Sequence, residues 1–391
     1  MSYRKLKADQ LFTGLTLLNN NEVLVTKPDG EIISIESADN AGDDIEVFKG
    51  IITPGFVNAH CHLELSHMKG LIADKTGLAD FVYKVINERH FGEGEIFDTI
   101  KKAEAQMGES GIVAVGDICN NNLTLAQKLR HTLRYYNFIE ASGWAPPLSK
   151  SRWERSKILY DEFTTGHLTA SIVPHAPYSV SDALWEKLIP VFEGKTITMH
   201  NQETHFENEF FLQGTGDLLR MYEKMNISNS FFSPSKKTSL QTCFHKLSKA
   251  ASVILVHNTF TTQEDIDYIN ETKPDYQLVS FCLCPNSNLY IEDTLPPVEM
   301  LVKKDNLIIL GTDSLASNRS LNILDEMKTI QFYFPFVTLE KLLQWATFNG
   351  AQALQMNDIG SFEKGKKPGI VLIENVDEGK LKIESASKRL L

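Results

Sequence analysis

Residues 52–64 read Ile-Thr-Pro-Gly-Phe-Val-Asn-Ala-His-Cys-His-Leu-Glu. The run is short and apolar until it ends in His-Cys-His, which marks it as a buried strand with a polar tip. Side chains alternate across a strand, so His60 and His62 point one way and Cys61 the other. Two neutral imidazoles on one side make a pincer for a divalent metal. The pair alone is a weak signal, because two ordinary polar residues at a strand end give the same pattern. The rest of the chain decides between the two.

Downstream, short apolar runs recur: GIVAVGDIC (111–119), LRYYNFIEA (133–141), LTASIVPHA (168–176), KTITMHNQE (195–203), ASVILVHNT (251–259), YQLVSFCLC (276–284) and NLIILGTDS (306–314). Helix-like segments stand between them, among them LADFVYKVINERH, FDTIKKAEAQMGE, SDALWEKLIPVFE and TQEDIDYINET. Eight strands alternating with helices predict an α/β fold, a (β/α)8 TIM barrel. Two further helices, LNILDEMKTIQFYF and LEKLLQWATFNGAQAL, follow the eighth run. The first fifty residues are strands and turns, with Pro-Asp-Gly as a turn signal, and the tail returns to that character. Residues 1–50 and 358–391 are therefore expected to pair into one small β-sandwich domain beside a barrel of residues 51–357. The stretch 204–249 is too long for a plain connection and reads as an insertion, a lid or substrate wall.

Composition narrows the partners. The formal charge of −11 argues against nucleic acid, whose phosphates need clustered Lys and Arg. No apolar run approaches the ~20 residues that span a bilayer, and the opening MSYRKLKADQLFTG lacks the apolar core of a signal peptide. Five irregularly spaced cysteines form no disulfide framework. The expectation is a cytoplasmic protein with a small-molecule substrate, with a homo-oligomer left open.

In a barrel the C-terminal strand ends converge on one face, where active sites lie. Those ends carry His60, His62, His175, His200, His257 and Asp313. The segments also resemble a known family. ITPGFVNAHCHLE is similar to the first-strand signature of the amidohydrolase superfamily, LGTDS to its eighth-strand aspartate motif and LVHNT to its sixth-strand histidine. TMHNQE resembles the H-x-x-E of the mononuclear deaminase and chlorohydrolase branch. GSFEKGKKPGIVLIE resembles the closing β segment, with Lys367-Pro368-Gly369 where an acidic dipeptide is usual. No lysine follows the fourth strand to bridge two metals. The resemblance thus implies one divalent ion, zinc expected and iron known in some relatives, held by His60, His62, His200 and Asp313.

It also implies roles. Asp313 accepts a proton from the attacking water, Glu203 shuttles a proton to a ring nitrogen, and His257 orients the water. The segment HAPYSVS, starting at His175, resembles deaminases of S-adenosylhomocysteine, adenosine derivatives and aminodeoxyfutalosine, in which the histidine bonds the heterocycle. TGLADFVYKV matches a helix whose acid contacts ribose, which makes Asp80 a candidate; an exposed helix-start acid is the competing reading. Ser317 and Asn318 are further pocket candidates. The implied function is hydrolytic deamination of an amino-substituted nitrogen heterocycle, first an adenosine derivative. Guanine, cytosine or pterin deamination, a chlorohydrolase and a cyclic amidase are the alternatives, and a non-catalytic barrel is disfavoured because no implied ligand is missing. Cys282 and Cys284 read as packing, and the remaining histidines as surface or loop residues. His205 and Glu207 open the insertion and are candidates to face substrate. The aromatic stretches NEFFLQG and NSFFSPS read as a local cluster in preference to a base-stacking platform.

Overall fold

The computed structural model describes residues 3–391. The central strands are Phe56–Cys61, Ile112–Cys119, Arg134–Ala141, Ala170–Pro174, Thr196–Asn201, Ser252–His257, Leu278–Leu283 and Leu307–Leu310. The first four pair in parallel in chain order, and so do the last four. Every residue of the first, second, fifth and sixth strands is buried. That is why they read as continuous apolar runs instead of alternating ones.

Two seams close the ring. Between the eighth and first strands, the backbone N–H groups of Thr312 and Asp313 both donate to the His60 carbonyl, at 3.0 and 3.1 Å. Between the fourth and fifth, the His200 N–H donates to the His175 carbonyl at 2.9 Å, and Ser171 Oγ donates to the Thr196 carbonyl at 2.7 Å.

Outer helices bury one stripe each. In Glu93–Glu109 the stripe is Ile96, Ile100, Ala103 and Met107, at helical spacing. Thr262 and Asp265 form a capping box at the start of Gln263–Thr272. The segment expected as one helix near 339–354 is two, Leu339–Ala346 and Phe348–Ala353. They break at Thr347, whose φ of −129° and ψ of −86° are not helical.

The terminal segments form two separate mixed sheets. One joins Ile32–Ser37, Glu22–Thr26, Arg4–Lys7 and Ile45–Val47; the other joins Lys380–Arg389, Ile370–Asp377, Ile51–Pro54, Gln10–Phe12 and Leu17–Leu18. Leu6, Leu11, Leu24, Ile32, Ile52 and Leu372 share one apolar cluster between them. Residues 51–54, placed with the barrel on sequence, pair with the tail instead (Ile51 opposite Ile373, Pro54 opposite Ile370). The run 52–62 therefore serves both units, passing from one sheet to the other at Gly55.

The insertion contains helices His205–Gln213, Asp217–Lys224 and Ser239–Cys243. Its aromatic residues form a local cluster, as expected. Phe210 stacks on Phe232 at 4.2 Å between centroids, and Tyr222 stacks on Trp144 at 5.5 Å. No helix among the described residues is long and apolar enough to cross a membrane.

Close packing behind the site needs small residues. A Cβ on Gly311 would lie 2.8 Å from His60 Cβ and 2.9 Å from Cys282 Sγ. Gly311→Ala should therefore destabilise the chain by about 1–3 kcal/mol, read from urea unfolding. Because His60 is the neighbour pushed, metal retention should weaken too.

Candidate metal centre

The strand ends bring three imidazoles together. One ligand atom from each of His60, His62 and His200 lies within 4.8 Å of the others. His62 Nε2 and His200 Nε2 are 3.3 Å apart. Asp313 Oδ1 stands 3.6 Å from His60 Nε2 and 3.4 Å from His62 Nε2. His60 is fully buried, yet neither ring nitrogen has a hydrogen-bond partner among the described residues. A buried imidazole without a partner is costly unless something else takes its lone pair. A metal ion on this cluster meets that need, so the residues present fit one.

Neighbouring groups orient the ligands. His200 Nδ1 donates to the His175 carbonyl at 2.9 Å, which leaves the Nε2 lone pair facing His62. Asp313 Oδ2 accepts from Ser287 Oγ and Ser317 Oγ, both at 2.6 Å, so Oδ1 is the oxygen turned to the imidazoles. Burial disfavours charge on the rings. It holds His62 and His257 well below the ordinary imidazole range, and with the neighbouring imidazoles it lowers His200 to about 4. Neutral rings are the form that ligates metal. His257 and Asp313 have φ of +73° and +58°. Such left-handed backbone costs about 1–3 kcal/mol per residue and clusters at functional sites. Here it turns the chain just as each strand delivers its side chain.

A cavity of about 330 Å³ opens on this cluster, lined in part by His62, His175, His200, Glu203, His257 and Asp313. Glu203 Oε1 lies 3.5 Å from His257 Nε2. Burial, reinforced by the charge of Asp313, pushes the Glu203 carboxyl well above its ordinary range. His175 Nδ1 contacts Ser179 Oγ at 2.8 Å. The outer wall is mainly apolar, with Leu78, Phe81 and Val82 from one helix, Trp144 from the third connection, and Met221 and Met225 from the insertion. Arg89, Arg152 and Arg155 also reach it.

Five candidates lie elsewhere. Asp80 does not line the cavity; its carboxylate is taken by Arg220, at 2.9 and 3.1 Å, and by Lys224 at 2.7 Å. The helix does face the cavity, but through Leu78, Phe81 and Val82. Ser317 stands behind Asp313 and donates to it, and Asn318 donates to the Thr312 carbonyl and to Glu326 Oε1, each at 2.8 Å. Both brace the eighth-strand loop and are absent from the cavity wall. His205 is exposed, and Glu207 is buried with its Oε1 accepting from the Gln202 N–H. Sequence reading passed over Glu64, Asn120 and Glu140, which do line the cavity. Glu140 and Asn120 end or follow the third and second strands, so the strand-end rule that selected the histidines would have found them.

The family model for the amidohydrolase family matches residues 51–388. The chain is 27% identical over 368 residues to a 5-methylthioadenosine/S-adenosylhomocysteine deaminase of Thermoanaerobacter pseudethanolicus, covering 84% of this chain and 74% of that protein. Helicobacter pylori aminofutalosine deaminase, solved with methylthio-coformycin, superposes with a TM-score of 0.78 at 22% identity, over 96% of this chain and 93% of that one. An adenosine deaminase from Xanthomonas campestris with bound zinc superposes with a TM-score of 0.68 at 21% identity, over 95% and 84%. Matched from its first barrel strand into its last sheet, and with the three-histidine cluster in place, the chain belongs to the amidohydrolase family and is a metal-dependent hydrolase of carbon–nitrogen bonds.

Proposed function

We propose that the chain holds one divalent ion, zinc ahead of iron, on His60, His62, His200 and Asp313, and deaminates an adenosine derivative by hydrolysis. The observation that carries this reading is the meeting of Glu203, His257 and Asp313 beside the three imidazoles, at the floor of a cavity with an apolar outer wall. Such an ion supplies Lewis acidity and acidifies a water.

The chain's own groups do the rest. Asp313 presents one free oxygen to the site, because two seryl hydroxyls hold the other, and that oxygen accepts the proton of the attacking water. Glu203, whose carboxyl burial pushes well above its ordinary range, passes a proton to a ring nitrogen, which makes the amino-bearing carbon electrophilic, and then helps ammonia leave. His257, kept neutral by burial, orients the water beside Glu203. His175, at the mouth of the fourth strand, contacts the heterocycle. The apolar wall suits a nucleoside whose 5′ position carries a carbon or sulfur substituent, and the relatives' names point the same way: 5-methylthioadenosine, S-adenosylhomocysteine, aminofutalosine.

Ammonia release should appear with adenosine derivatives in a screen that also offers free bases and pterins; release from bases or pterins alone would reject the substrate class. Glu203→Gln should lower kcat by about 10²–10⁴-fold. A variant retaining most of the wild-type kcat would remove Glu203 from the proton path. Metal analysis should find about one tightly held ion per chain, and chelation should abolish turnover until zinc is restored.

The pH dependence has a definite sign. An unfolded histidine protonates near 6.5, whereas folded His200 resists until about 4. Between those values the unfolded chain binds the extra proton, so metal-free protein should lose stability as pH falls from about 6.5 to about 4. His200→Asn, also metal-free, should show a slope shallower by up to about 1.4 kcal/mol per pH unit in urea titrations. Equal slopes would place His200 in a solvated, freely titrating environment.

A further inference from the structure

The barrel mouth divides into two halves. Strands five to eight deliver Glu203, His257 and Asp313. Strands one to three deliver a second polar group to the same cavity, Glu64, Asn120 and Glu140, which the proposed reaction does not use. Glu64 is 1% exposed and Glu140 8%. Carboxyls buried this deeply need hydrogen-bond donors. Asn120 supplies one to each: its backbone N–H to Glu64 Oε2 at 3.0 Å, and its Nδ2 to Glu140 Oε2 at 2.8 Å.

The second oxygen of each carboxyl is different. Glu64 Oε1 is sealed from solvent and has no hydrogen-bond partner among the described residues. Glu140 Oε1 has His200 Nδ1 at 3.6 Å, beyond hydrogen-bond reach, and that nitrogen already donates to the His175 carbonyl. A cation is one way to satisfy such oxygens, and Glu140, His175 and His200 do offer ligand atoms within 4.8 Å of one another. An ion there would take His200 Nδ1 from the carbonyl that orients it, so the geometry favours a neutral donor.

We propose that Glu140, clamped by Asn120 with Glu64 behind it, is a specificity-determining residue that accepts a hydrogen bond from a hydroxyl or N–H on the substrate, beside the ring that His175 contacts. The placement of that ring rests on the deaminase reading; the acceptor role rests on the clamp and on the unshared oxygens. Asn120 fixes which oxygen is used. With Oε2 held, Oε1 is the one presented.

The test is calorimetric binding to the zinc-loaded full chain in a Glu203→Gln background, so that ligand is not consumed. The probes are adenosine, 2′-deoxyadenosine, 3′-deoxyadenosine, adenine and 9-methyladenine. With Glu140 present, removing the recognised donor should weaken binding roughly tenfold. A loss confined to a deoxynucleoside identifies a sugar hydroxyl, and adenine binding more tightly than 9-methyladenine and all three nucleosides identifies the ring N9–H. In Glu140→Gln, Asn120 pairs with the amide oxygen and an NH₂ faces the ligand, so the preference should vanish without a change in volume. Glu140→Ala should abolish it too, and both variants should keep their zinc. A preference that survives in both variants, loss of zinc from both, or no binding by any probe would overturn the proposal. If the Glu140-dependent preference appears while the Glu203-intact protein releases no ammonia, the deaminase reading fails and the acceptor role stands.

Discussion

Barrel closure and ligand placement are achieved by the same hydrogen bonds. The His60 carbonyl accepts from Thr312 and Asp313, which seals the seam between the eighth and first strands and brings the aspartate beside the imidazole of the same residue. The His175 carbonyl accepts from both the backbone N–H and the Nδ1 of His200, which seals the opposite seam and fixes the tautomer of a ligand. The cluster cannot spread without opening the barrel. The barrel closes most easily when Asp313 and His60 take up the conformations the cluster needs.

That coupling explains where strain is tolerated. His257, Asn258 and Asp313 all have positive φ; the first two end or follow a fully buried strand, and Asp313 follows one buried at all but its first residue, so that strand pairing over-determines the backbone. It also explains the small residues behind the site. Gly311 lets the eighth strand lie against His60 and Cys282, and Gly116 lets the second lie against the Ala59 carbonyl, which a Cβ would meet at 2.5 Å. The polar interior is then satisfied from outside inward. Ser287 and Ser317 hold Asp313, Asn318 holds the loop that carries it, and Glu326 anchors Asn318.

The same frame separates reaction from recognition. The groups assigned to proton transfer come from strands five to eight. The groups proposed to recognise the substrate, Glu140 and His175, come from strands three and four, and the apolar side chains that line the cavity with them from the helix Leu78–Glu88 and the insertion.

The sequence by itself determined the eight buried strands, because continuous apolar runs have no other stable home at that length. It also determined the positions of His60, His62, His200 and Asp313 at strand ends, because strand alternation and strand parity are local properties. Tertiary structure alone decided what lies across a gap. Asp80 is drawn away from the cavity by Arg220 and Lys224, partners 140 and 144 residues distant in sequence. Ser317 faces Asp313 and not the substrate space. Residues 51–54 join the tail because Ile370–Ile373 offers them a pairing edge that no local pattern announces. Glu140 ends its strand as the histidines end theirs, but only the clamp from Asn120 shows that one of its oxygens is held and the other presented. Residue type and spacing record what a segment can do; long-range pairing decides which partner it finds.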